Sequence, residues 1–123
     1  MVTYSIGDQV YPLALTLGAM DDLDKLCGGF EHVTTAFDGK SMVQIIDTTV
    51  QMLAILLRGG YHHLIEMGEE PKEPPTAEAL RSLMLPKDIG PTKEAIFRAM
   101  AESMGRTVEV EPAKNGETTT GEA

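Results

Sequence analysis

Apolar and polar positions alternate over the first residues of the chain, with Val2, Tyr4 and Ile6 on one side of Gly7-Asp8 and a second run opening at Gln9-Val10-Tyr11 beyond it. β-Branched and aromatic residues at a period of two suit a pleated surface, and Gly-Asp suits a tight turn. The pattern therefore predicts a β-hairpin with strands at 2–6 and 9–16. Pro12 cannot donate a ladder hydrogen bond, so the second strand is expected to lie at an edge or break at a bulge there. Such a small sheet keeps an edge that either a helix covers or another chain extends.

From Thr16 onward the period changes to that of a helix. Met20, Leu23, Leu26 and Cys27 share one face of a helix predicted over 17–27, capped by Thr16 and stopped by Gly28-Gly29. Asp21, Asp22 and Asp24 are expected to face water, partly in the early turns where the helix dipole favours negative charge. Residues 30–40 read as irregular, with a turn at Asp38-Gly39. Ser41 and Gln44 have the spacing of a capping box, in which each side chain satisfies the other's free backbone N–H. The helix they open is predicted over 42–58, its apolar stripe made by Met42, Ile45, Ile46, Val50, Leu53, Leu56 and Leu57. Toward its end Met52, Ala54 and Ile55 make it apolar nearly all round, which implies central burial or a far side covered by a partner.

Gly59-Gly60 is expected to stop that helix, leaving a separate short one over 61–67. The stretch EEPKEPP at 69–75 reads as a semi-rigid spacer inside one domain. Thr76 caps a brief helix bearing Leu80, Leu83 and Met84 and closed by Leu85-Pro86. Pro91 marks the start of a last helix with Ile96, Phe97, Met100 and Met104 on one face, ending at Gly105. A short strand is predicted at 107–111, and 112–123 (PAKNGETTTGEA) is expected to be a disordered polar tail. The fold class is α+β: an N-terminal hairpin packed on a bundle of four to five helices, one domain over 1–111.

Composition narrows the chemistry. A formal net charge of −9, without clustered Lys or Arg, disfavours nucleic acid as a partner. No unbroken apolar run approaches the roughly 18 residues of a membrane span. No basic stretch leads into an apolar one near residue 1, so the expected address is the cytoplasm. The single cysteine, Cys27, forms no internal disulfide and sits at a helix C-terminus, where the dipole disfavours a thiolate. His62 and His63 diverge by about 100° on a helix, and Glu66 with isolated His32 supplies too few partners for a four-ligand site, so no metal is expected. The glycine pairs follow helices and lack phosphate-loop spacing. No nucleophile–base pair is legible, and neither catalysis nor a cofactor is expected.

One anomaly remains: eight methionines and no tryptophan. Flexible, polarizable Met either fills irregular cores or lines surfaces that accept varied apolar partners. On the second reading Met52, Ile55, Met84, Leu85 and Met104 are the candidate partner-binding residues, in a groove for an apolar helical segment.

The stretch from Val10 to Leu23, Val10-Tyr11-Pro12-Leu13-Ala14-Leu15-Thr16-Leu17-Gly18-Ala19-Met20 through Leu23, feeds a short strand pair into an acidic helix. It resembles the opening of the tail assembly chaperones of long-tailed bacteriophages and related gene-transfer-agent clusters. The resemblance implies that 41–58 and 91–105 belong to a helical body and 112–123 to a polar end. It implies a non-enzymatic protein of the bacterial host cytoplasm that coats the tape measure protein and helps tail-tube subunits polymerise around it. It also implies absence from the finished particle and, in many members, a second, longer frameshifted form; it brings no catalytic or cofactor-binding residues. A small connector or tail-terminator subunit of the virion, joined through the hairpin edge, and an acidic antitoxin or regulatory binder are the alternatives. A homo-oligomer is compatible with all three.

Overall fold

Residues 1–106 are described by the computed structural model of the chain. Strands β1 (Thr3–Ile6) and β2 (Gln9–Pro12) pair antiparallel in register Thr3↔Pro12, Tyr4↔Tyr11, Ser5↔Val10 and Ile6↔Gln9. Gly7, at φ +61°, makes the two-residue turn. The Leu13 N–H donates to Val2 O at 2.9 Å, so by antiparallel alternation the hydrogen-bonded pairs are Val2–Leu13, Tyr4–Tyr11 and Ile6–Gln9. Pro12 falls at a position whose N–H the ladder does not use, which is why the strand tolerates it. The second strand nevertheless ends at Pro12, short of the predicted 16, because the chain turns inward there to bury Leu13, Ala14 and Leu15.

Helix α1 (Leu17–Cys27) has the predicted bounds: the Thr16 hydroxyl accepts from Ala19 N, and Gly28 ends it at φ +73°. Asp21, Asp22 and Asp24 are exposed but lie beyond the first turn, so the dipole gains nothing from them. Asp24 serves the other end, where its backbone carbonyl accepts from Gly29 N and its carboxylate from Phe30 N. A 3-10 turn at Phe30–His32 interrupts the irregular segment that follows.

Helix α2 (Met42–Glu66) opens on the Ser41–Gln44 capping box and then departs from expectation. It runs 25 residues straight through Gly59-Gly60, which do not stop it, and residues 61–67 form no separate helix. The physical reason is proximity. A Cβ on Gly59 would strike Ala14 O, and one on Gly60 would strike Pro12 O, so the glycines let the hairpin's exit strand lie directly against the helix backbone. Ala14 N donates to Leu56 O at 3.2 Å across the same contact. Uninterrupted, α2 is long and apolar enough by length and composition to cross a membrane, with a mean hydropathy of 1.2 over its most apolar 18 residues. In this fold it is the central helix, burying Val50, Met52, Leu53, Leu56 and Leu57 among α1, α3, α4 and the hairpin.

Helix α3 (Ala77–Leu83), capped by Thr76, packs on α2 through Leu80. A 3-10 turn (Pro86–Asp88) leads into α4 (Ile89–Ser103), which starts two residues before Pro91. Pro91 still lies in the first turn, where a missing N–H leaves no helical bond unmade. Three contacts tie α4 to the hairpin: Tyr4 Oη to Thr92 Oγ1 at 2.6 Å, Val2 N to Glu102 Oε1 at 2.9 Å, and Leu15 N to Ser103 Oγ at 2.9 Å. Thr92 is fully buried. Tyr4→Phe therefore strands its hydroxyl and is expected to cost about 1.5 kcal/mol in urea unfolding, with most of that recovered when Thr92→Val is added. The predicted strand at 107–111 and tail at 112–123 lie outside the described residues.

Candidate partner-binding surface

Where α3 ends, the chain is drawn straight across α2. Met84 N bonds Leu80 O at 2.9 Å, and Met84 then takes an extended conformation (φ −89°, ψ 149°) that halts the helix. Leu85 is also extended, and its N–H is held by the Asp88 carboxylate at 2.8 Å. This pinned pair, with Pro86 and Ile89 beyond it, forms one wall of a hollow of about 220 Å³. The opposite wall is Ile46 and Val50 of α2, and Arg81 closes the side. Arg81 Nη1 reaches Asp47 Oδ1 at 2.8 Å, with both side chains about half exposed, so the pair orients the rim and adds at most about 1 kcal/mol.

Apolar surface continues past the hollow. Met42 and Val43, each 71% exposed, lie one turn before Ile46 on the same side of α2. Leu83 and Leu85 are more than half exposed on the α3 side. The cavity is smaller than the roughly 300–1,000 Å³ usual for small-molecule sites, and its extension is a shallow apolar surface of the kind that receives a side chain from a docked helix.

Of the five residues singled out by sequence, the structure brings two together: Met84 and Leu85 both line the hollow. Met52 is a correction. It is fully buried in the core, because α2 turns that side toward the other elements, and it lines no groove. Ile55 is partly buried and lies nine residues along α2 from Ile46, about 14 Å away at helical rise. Met104, at the far end of α4, is about 22 Å along the axis from Ile89. Sequence reasoning missed Ile46, Val50 and Ile89 as lining residues. Ile46 and Val50 read as members of the core stripe, and nothing local marks which end of that stripe remains uncovered. Met67, Met84 and Met104 share one placement, each sitting at the C-cap of its helix.

Two further cavities are more mixed. One, lined by Ala14, Leu15, His63, Glu102 and Ser103 among others, lies between the hairpin exit and the end of α4. The other holds Cys27, His32, Lys40 and Thr48. Partial burial pushes the Cys27 thiol above its ordinary value, and the charge of Lys40 opposes that without reversing it. Labelling by a thiol reagent is expected to stay slow at neutral pH and to rise only beyond the ordinary thiol range, with Lys40→Met slowing it further. By linkage, Cys27 favours the fold most while protonated, a contribution lost as pH rises through the elevated value. Among the described residues, no three His, Cys, Asp or Glu side chains converge in a way that would hold a metal ion. His62 and His63 are exposed on the last turns of α2.

No family model, curated protein or solved structure matches this chain.

Proposed function

We propose that the protein is a tail assembly chaperone of a long-tailed bacteriophage or related element, acting in the bacterial cytoplasm by holding apolar helical segments of the tape measure protein until tail-tube subunits enclose them. It works by binding, without making or breaking a covalent bond. The observation that carries the reading is the apolar hollow at the junction of α2, α3 and α4, lined by Met84 and the exposed Leu85, with Met42, Val43 and Leu83 exposed on the adjoining turns of α2 and α3. Apolar side chains gathered at one end of a small domain mark an interaction surface more often than chance exposure. Two further features support the same reading: the resemblance of Val10 to Leu23 to the chaperone opening, and a net charge of −9 that keeps a loaded complex dispersed.

Co-expression with a tape measure protein, sought first among the products of the neighbouring genes, tests the proposal. The expected result is that the tape measure protein moves from the insoluble to the soluble fraction and co-purifies with this chain. A tape measure protein that stays insoluble regardless ends the proposal. Abundant copies of the chain in purified tails would favour the connector or terminator alternative instead.

A further inference from the structure

We infer that α3 is a detachable strap, seated on α2 where a partner helix binds, and that the partner takes its place by presenting a large apolar side chain beside a cation. This deepens the chaperone reading and, in its partner half, rests on it. Little holds α3 down. It is seven residues long, under the length at which a helix is stable by itself, so its order comes from what it touches. Leu80 is its one fully buried side chain, and among the described residues its one ion pair to the body is the exposed Arg81–Asp47 contact. The hollow beside it shows that α3 and the chain after it leave part of the α2 face unfilled.

The strap is bounded on both sides. Pro74 is buried at its near end, and at its far end the Leu85 N–H stays held by the Asp88 carboxylate, which keeps Leu85 in the wall of the hollow. The main packing partner of α3 is α2, and α2 makes its contacts with α1, α4 and the hairpin separately, so release of α3 leaves those contacts in place. Beneath α3, α2 presents its apolar face with Asp47 at the edge. That arrangement is already a helix in a groove, and α3 displays what an occupant needs: Leu80 for the apolar face and Arg81 for the carboxylate. An incoming amphipathic helix with more apolar turns than α3 makes the same two contacts and extends over Ile46, Val43 and Met42.

Native-state hydrogen exchange on the unmodified chain tests the strap with no partner present. The amides of Leu80 and Met84, bonded to Thr76 O and Leu80 O, are expected to exchange at least about a hundredfold faster than those of Leu53 and Leu57, with little dependence on low urea. Equal protection in both helices, falling together with urea, overturns the inference. Leu80→Cys in a Cys27→Ser background gives a second readout, with labelling expected at urea concentrations well below the unfolding midpoint. If that variant fails to fold, exchange on the unmodified chain decides alone. In complex with a soluble tape measure fragment, α3 amides should lose protection while those of Leu53 and Leu57 keep theirs; α3 gaining protection overturns the replacement. Asp47→Lys should speed α3 exchange in the free chain yet reduce fragment capture about tenfold or more, the size expected when a charged contact is reversed. Greater capture would show that no cation reaches Asp47. A fragment that does not bind at all counts against the chaperone proposal, while free-chain exchange still judges the strap.

Discussion

Gly60→Ala is expected to destabilise the domain by about 3 kcal/mol in urea unfolding, the upper range for forcing atoms into a packed interior. The same change in an exposed helix interior stabilises by up to about 1 kcal/mol, so the sign of the effect separates two roles for this glycine. A stop signal or loose joint would tolerate alanine or gain from it. Here the new Cβ would press on Pro12 O, a backbone atom that cannot rotate away, and the hairpin would have to move. Gly59→Ala meets Ala14 O in the same way. Its movement also threatens the Ala14 N–Leu56 O bond and the burial of Leu13 and Leu15, so the two substitutions share one mechanism and should be less than additive. Circular dichroism with a denaturant series suffices. A neutral or stabilising result at both positions would show that α2 and the hairpin do not touch so closely.

The same glycines mark the boundary of what could be read from sequence. Helix starts were legible because their cause is local: Thr16, Ser41 and Thr76 each place a side-chain oxygen on an amide three residues ahead. The hairpin was legible because Gly7 supplies a backbone conformation that its turn requires. Gly59-Gly60 was not, since the residues that need the missing side chains, Pro12 and Ala14, lie more than 40 positions away in the chain. Local chemistry reads as punctuation what tertiary contact uses as clearance. The candidate site has the same history. Met84 stands out in the sequence only through the excess of methionine, with Leu85 beside it. The other wall, Ile46 and Val50, belongs to a stripe whose inner and outer ends look alike until α3 and α4 are placed over it.

Methionine 52 and leucine 85 give the sharpest contrast between core and surface. Met52→Lys is expected to abolish the native fold or to lower its stability by about 3–5 kcal/mol, because an ammonium would sit in a fully buried position within the hydrophobic core. The lysine avoids part of that penalty by losing its proton, so the damage should ease as pH rises toward the ordinary lysine value. Leu85→Lys should leave the melting temperature within a few degrees, since that side chain is 54% exposed. It should instead reduce capture of the tape measure protein by about tenfold, as expected when a charge is desolvated at the centre of an apolar contact. Thermal unfolding followed by pull-down separates the outcomes. If Leu85→Lys binds like the parent while Met52→Lys folds and fails to bind, the binding surface lies on the other side of α2, and the assignment of core and groove is reversed. If Met52→Lys unfolds and Leu85→Lys loses only its partner, the buried side of α2 holds the domain together and the link between α3 and α4 meets another chain.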